Sequence, residues 1–243
     1  MTSTTSTPRV RTAPPKASGR GRRPMSDQWR GRQRLMISRA AIRLFRDRGV
    51  TETSVEQIAE VVGLSARTLF RYFRSKESCV EPVLSVSVDA FVATLRRWPA
   101  ELSLEEHLVA DHRSSDDAEA AADSEAALAV IGMSREEPAL RAIWLVVYER
   151  AEPVLAEVLA DHLDRPASDI AVRVQAAALS AALRITSEDL AASLIDGTGP
   201  IEPAERLARL SAAVHAATHG VLGAGVADRP TADRPTTDPT SGE

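Results

Sequence analysis

Three side chains in Val55–Tyr72, VEQIAEVVGLSARTLFRY, are suited to reading a nucleic acid: Arg67, Thr68 and Arg71. A guanidinium can grip a guanine edge with two hydrogen bonds or sit on a phosphate, and either arginine is suited to either task. A threonine hydroxyl can serve a base or the backbone. These groups act together only if the segment after Gly63 is helical and its apolar side is anchored elsewhere. The flanking residues meet that condition. Ala59 is the small residue where one short helix can touch another, Gly63 permits the sharp turn, and Ile58, Val62, Leu64 and Leu69 supply an apolar lock. Arg67, Thr68, Phe70 and Arg71 then face away from that lock. A helical hairpin buried in a core has no use for two arginines and a threonine on its outer face.

The elements that must hold this face are readable too. Ser54, with Gln57 three residues on, is a capping-box pattern and predicts a short helix ending at Gly63. Ser65 caps the next helix, expected to run to about Phe73, and leaves its positive end suited to a phosphate. Upstream, Ile37, Ala41, Leu44 and Phe45 share one face of a helix expected over Arg34–Arg48, stopped by Gly49.

The stretch TSVEQIAEVVGLSARTLFRYFRSKE, residues 53–77, resembles the DNA-binding signature of the TetR family of transcriptional regulators, and AAIRLFRDRGV, residues 40–50, resembles the family's first helix. The likeness covers roughly residues 34–80. Beyond residue 80 it is one of layout only, a helical regulatory domain with two late helices for dimerisation. It implies a pseudo-palindromic double-stranded DNA operator bound by a homodimer and released by a small-molecule ligand, with repression the default. It also implies residue roles. Ser54 caps the helix that crosses the phosphates, with Thr53 beside the backbone. Arg67 and Thr68 read base edges and phosphates, and Tyr72 and Lys76 meet phosphate. Phe70 departs from the pattern, standing where the family often has tyrosine. It lacks the hydroxyl but can still touch a thymine methyl.

Charge agrees with a polyanion-binding first third. Residues 1–80 carry a balance of +11 and residues 81–243 a balance of −15, hidden within a net charge of −4. Residues 1–28 read as a disordered basic arm in which Arg20, Arg22 and Arg23 resemble an AT-hook core, either a minor-groove contact or a solvated tail. Residues 223–243, with ADRPT twice in tandem, read as a second disordered tail. The expected domains between them are a three-helix DNA-binding domain over 29–78 and a larger helical regulatory and dimerisation domain over 79–222. The expected fold class is all-α, since no strand alternation is visible.

In the larger domain Val80–Arg97 reads as a helix ended by Trp98-Pro99, and 111–125 as an acidic solvated face, helix or loop. Ala139–Leu163 reads as a helix that Pro153 should kink or restart, Ser168–Ile185 as an Ala-rich helix, and Pro203–Leu222 as another. His107, Met133, Trp144 and Tyr148 are candidates for a ligand cavity, with simple core packing as the alternative. Val174, Ala178, Ala181, Leu207, Leu210, Val214, Ala217 and Val221 are candidates for a subunit interface, again with intrachain core as the alternative. Cys79, the sole cysteine, excludes an intrachain disulfide and a multi-thiolate metal site, and reads as a small buried residue. His215 and His219 share a helix face but lack a third ligand, so no metal and no cofactor are expected. No phosphate-binding Gly loop, nucleophile elbow or clustered His/Asp/Glu set points to an enzyme. No apolar run approaches a membrane span and no signal-peptide core is visible, so the cytoplasm, at the nucleoid, is the expected location. Two other readings remain: a DNA-binding regulator controlled by a protein partner or by abundance, and an enzyme or ligand-binding protein with an incidental helix-turn-helix.

Overall fold

The computed structural model describes residues 27–99, 101–114, 117–195 and 202–218, and among them the regular structure is entirely helical. Arg20, Arg22, Arg23, the repeated ADRPT, His219 and Val221 lie outside the described residues. Three helices come first: α1 (Asp27–Arg48), α2 (Val55–Val61) and α3 (Ala66–Leu69). The first takes in the last two residues of the expected basic arm, Asp27 and Gln28. A 3-10 turn over Glu77–Val80 leads into α4 (Glu81–Arg96), then α5 (Leu104–Ser114), α6 (Ala118–Met133), α7 (Pro138–Leu163), α8 (Ile170–Ile195) and α9 (Pro203–Thr218).

Several boundaries follow from local chemistry. The 111–125 stretch is two helix ends: α6 starts where the Asp117 side chain accepts from the backbone N–H groups of Glu119 and Ala120. The α7 helix runs through Pro153 as one element and does not restart there. It stops at Asp164, a left-handed residue with φ +51°, where Arg165 N–H donates to the Ala160 carbonyl. Trp98 ends α4 as expected, its ring stacked on His162 at 3.6 Å and its indole N–H bonded to the Leu102 carbonyl.

Glu77–Arg96 is, by length and composition, apolar enough to cross a membrane, with mean hydropathy 1.4, contrary to the expectation that nothing approaches that length. In the fold its Val80, Val83, Leu84, Val92 and Leu95 are buried, because this stretch is a central core helix.

The core has two parts. One is shared by the N-terminal helices and the larger domain. Ile37, Phe45, Ile58, Leu69 and Phe73 are continuous with Cys79, Val83, Leu128, Ile131, Leu140, Trp144 and Leu190. The other lies between α4, α5, α7, α8 and α9 around Leu95, Leu104, Leu155, Leu159, Val172 and Leu179. The expected domain boundary at 78/79 therefore falls inside a packed cluster, with Cys79 and Val80 fully buried.

The acidic stretch is not merely a solvated face. Asp123 is buried, its side chain 6% exposed, and accepts two hydrogen bonds from Arg39 of α1, at 2.7 and 2.6 Å. Arg39 also pairs with Glu119 at 2.6 Å. A second ionic bridge joins the parts at Glu81, which meets Arg34 of α1 at 3.0 Å and Arg150 of α7 at 2.6 Å.

Candidate nucleic-acid interface

The two short helices are held as the residue pattern predicts. Ser54 Oγ accepts from Gln57 N–H at 3.2 Å and Gln57 Oε1 accepts from Ser54 N–H at 2.8 Å, completing the capping box. At the other end of α2, Gly63 sits at φ +67°. Its N–H donates to the Glu60 carbonyl, and Leu64 N–H reaches back to the Ala59 carbonyl at 2.8 Å. This crossed pair is a Schellman motif, and its left-handed residue is where glycine avoids the steric cost of a Cβ. Ser65 then caps α3, accepting from Thr68 N–H at 3.2 Å, while the two hydroxyls lie 2.9 Å apart.

Regular α-geometry in α3 spans only four residues. Helical bonding continues past it, partly in tighter turns: Arg71 N–H to the Thr68 carbonyl, Tyr72 N–H to Leu69, and Phe73 N–H to Leu69. The segment thus reaches Phe73 as expected. Leu69 and Phe73 are buried beneath it, with Ile58 and Ala59 of α2. On the outside, Arg67, Phe70 and Arg71 are exposed, and Phe70 shows 53% of its surface. Phe70 thus places an apolar ring beside two guanidinium groups, a combination that can meet phosphates and base edges. Tyr72 is half-buried and packs on the shared core, its carbonyl 3.4 Å from the Arg34 guanidinium, which also lies over the Phe73 ring.

Two residues assigned to the DNA backbone turn out to be internal. Thr53 is 1% exposed, and its hydroxyl donates to the carbonyls of Gly49 and Leu44. Lys76 places Nζ at 2.7, 3.2 and 2.9 Å from the carbonyls of Val50, Thr51 and Thr53. All three ammonium protons are used, so Lys76 ties down the loop between α1 and α2 instead of offering a free charge to phosphate. Lys76→Ala is expected to lower the unfolding free energy by about 2 kcal/mol, because three charge-assisted bonds vanish and three carbonyls must find water. Urea unfolding followed by circular dichroism checks this; an unchanged midpoint would return Lys76 to the role of a surface cation.

Cys79 is buried as expected. Its Sγ approaches the Ser75 carbonyl at 3.7 Å, and burial pushes its thiol pKa up to about 12, so it stays protonated and unreactive.

The sequence pattern of the bacterial regulatory proteins of the tetR family matches residues 37–83, which span the second half of α1, both short helices and the start of α4. Over these residues the chain carries a tetR-family domain. Among curated proteins, the HTH-type transcriptional regulator TcmR of Streptomyces glaucescens is 44% identical over 69 residues, 28% of this chain and 30% of its own length. A proposed mycofactocin biosynthesis transcriptional regulator, MftR, of Mycobacterium tuberculosis is 50% identical over 42 residues, 17% of this chain and 21% of that protein. The chain thus spans less than a third of the curated relatives it matches. Among solved structures, Salmonella enterica GusR shares the fold with a TM-score of 0.50 at 16% identity, covering 80% of this chain and 98% of that one. The all-α architecture is therefore shared with that protein, while the likeness in sequence is concentrated in residues 37–83.

The larger domain encloses a cavity of about 500 Å³ between α4, α5, α6, α7, α8 and α9. Trp144 and Tyr148 line it. His107 and Met133 do not. His107 is buried with Nε2 2.7 Å from the Thr94 carbonyl, and Met133 packs on the shared core near the end of α6. Sequence reading missed Ser87, Thr186 and Ser187 on the cavity wall. Ser87 carried a signal: it interrupts the apolar stripe Leu84, Val88, Phe91 of α4 with a hydroxyl.

The expected interface residues divide. Val214 is buried within its own chain, and Leu207, Leu210 and Ala217 pack on the second core cluster. Intrachain packing, the alternative reading, thus accounts for part of the periodicity of α9. On α8, Ala178 and Ala181 are half-buried, whereas Val174 is 57% exposed and stands in line with exposed Ile170 and Ile185. The outer side of α9 shows Ala204, Ala208, Ala212 and Ala216, four residues apart and all exposed.

Proposed function

We propose that the chain is a transcriptional regulator that binds a pseudo-palindromic operator as a homodimer, represses by default, and lets go when a small molecule fills the α4–α9 cavity. The outward face of the capped segment after Gly63, with Arg67, Phe70 and Arg71 exposed around a buried Leu69, carries this reading. Two such faces, one per subunit, would enter successive major grooves about 34–36 Å apart. Arg67 and Arg71 take base edges or phosphates, Phe70 a thymine methyl, and Ser65, Thr68 and Tyr72 the backbone; Ser54 holds α2 across the phosphates. The arm with Arg20, Arg22 and Arg23 adds attraction to a narrow minor groove. Such a protein works in the cytoplasm, at the nucleoid, and performs no catalysis.

The route from cavity to DNA is short. Helix α6 supplies Ala120, Ser124, Ala127, Leu128 and Ile131 to the cavity wall, and Asp123 and Glu119 to Arg39 of α1. A ligand that displaces α6 therefore pulls on the helix under the DNA reader. A hundredfold loss of occupancy requires about 2.7 kcal/mol of differential affinity, within reach of a buried ligand.

Selection of operators from random DNA, followed by fluorescence anisotropy on the winner, tests the reading; failure to enrich any sequence at low salt would end it. The dimer has its own test. The α8 stripe of Ile170, Val174 and Ile185 beside the alanine face of α9 suits a four-helix interface. Val174→Glu is expected to shift the protein from dimer to monomer in sedimentation velocity and to abolish binding to a full operator. A Val174→Glu protein that remains dimeric would place the interface elsewhere.

A further inference from the structure

We propose that the cavity selects an uncharged, largely apolar molecule bearing a hydrogen-bond acceptor oxygen, held by the indole N–H of Trp144 and the hydroxyl of Ser87. The inference rests on the ligand-release reading for its regulatory meaning, but the binding chemistry stands on the cavity alone.

The cavity has an uncharged floor and a polar mouth. Its buried wall is Leu84, Ala127, Leu128, Ile131, Trp144 and Leu190, and its more exposed wall includes Ala90, Ala121, Asp111, Asp117 and Arg206. A charged group at the floor would lose its hydration, and the guanidinium groups nearest to it, Arg141 at 5.8 Å from the Trp144 ring and Arg184 near Tyr148, are already paired with Glu188. The charges at the mouth are already engaged. Asp111 accepts from Arg97 and from Thr94, and burial, which pushes its carboxyl up, is outweighed by those bonds, which hold it low. Asp117 caps α6, and Arg206 has interactions of its own. A volume of about 500 Å³ lies within the range of small-molecule sites.

The polar groups on the wall show what the occupant must offer. Thr94 donates its hydroxyl proton to Asp111, Ser124 to the Ala120 carbonyl, Thr186 to the Ala182 carbonyl and Ser187 to the Leu183 carbonyl. With Ser187 so oriented, Tyr148 donates to Ser187 Oγ at 3.2 Å. Ser87 Oγ and Trp144 Nε1 remain: both are buried, and among the described residues neither meets a partner with full hydrogen-bond geometry, although the indole N–H is near enough to the Tyr148 hydroxyl to help hold down a pKa that burial raises. Trp144 is 0% exposed and stands edge-on to Tyr148, ring centroids 5.8 Å apart. Indole nitrogen can only donate. A buried donor left unpaired is costly, so conversely a ligand oxygen that satisfies it gains more than the same oxygen would in water. Hydrocarbon fills the rest of the space, and one carbonyl or ether oxygen completes it.

The experiment uses two matched sets on the full chain: benzophenone, diphenylmethane and 2-benzoylbenzoate; and 2-acetylnaphthalene, 2-ethylnaphthalene and 2-naphthoate. Affinity is read by titration calorimetry. In each set the ketone is expected to bind about fivefold more tightly than the hydrocarbon, the effect of one buried hydrogen bond, and the carboxylate is expected to bind least. Trp144→Phe keeps an aromatic floor and should bring ketone and hydrocarbon level. Ser87→Ala removes a buried hydroxyl with no partner, so it should keep or raise the melting temperature while weakening the ketone alone. Equal binding of ketone and hydrocarbon by the unaltered protein, a preference for either carboxylate, or no binding by all six compounds overturns the proposal. Operator affinity is measured on the same samples. Ketone binding without loss of DNA would sink ligand release and leave the cavity chemistry intact; DNA release by a carboxylate would do the reverse.

Discussion

Arg39→Ala is expected to lower the unfolding free energy by about 3 kcal/mol, the lower end of the range for breaking a buried ion pair. The figure sits there because Arg39 is one-third exposed, whereas Asp123 is almost wholly enclosed. Removing the arginine leaves a buried carboxylate without its two-pronged partner and also strips Glu119 of its contact. Replacing both residues, Arg39→Met with Asp123→Leu, should cost clearly less than the sum of Arg39→Ala and Asp123→Ala, since no orphan charge remains. Urea unfolding of the four proteins decides the matter. Additive losses would mean that the two side chains do not depend on each other. Asp123→Ala should also weaken the link between cavity and DNA, visible as a smaller change in operator affinity when ligand is added.

Arg67→Ala and Arg71→Ala are expected to carry the largest effects on DNA. One two-pronged contact with a guanine is worth about 1–3 kcal/mol, and the proposed homodimer would lose it twice, so about 2–6 kcal/mol is at stake on a full operator. At the middle of that range binding falls roughly a thousandfold. The arginine that reads a base should also flatten sequence preference at one position in each half-site, while one that holds phosphate should weaken all sequences alike and reduce the salt dependence. Both side chains are exposed, so melting temperature should not move. Anisotropy titrations on an operator panel separate these outcomes, and two variants with unaltered preference and affinity would remove the recognition segment from the DNA.

The reader domain was legible because its determinants are local. Ser54 and Gln57 are three residues apart, Ala59, Gly63 and Leu64 make one turn, and Leu69 lies within a single helical segment of Ser65. What escaped was set by contacts across long stretches of chain. Asp123 looked like part of a solvated acidic run because its arginine lies 84 residues away. Lys76 looked like a phosphate ligand because the three carbonyls that occupy it belong to a loop more than twenty residues earlier. The α9 helix shows the limit of periodicity: spacing told that Leu207, Leu210 and Val214 face something apolar, but not whether that surface belongs to the same chain. The cavity was half legible, with its aromatic wall visible in Trp144 and Tyr148 and its unpaired donor pattern hidden until the hydroxyl bonds could be traced.

The continuity of packing from Leu69 under the recognition segment to Trp144 at the cavity floor has a thermodynamic corollary. The two regions should melt as one cooperative unit, with a single calorimetric peak. Under this scheme a bound effector and a bound operator each protect the whole polypeptide from heat, yet when present together their protection falls short of the sum by the free energy with which each opposes the other. Calorimetry alone could then measure the strength of regulation.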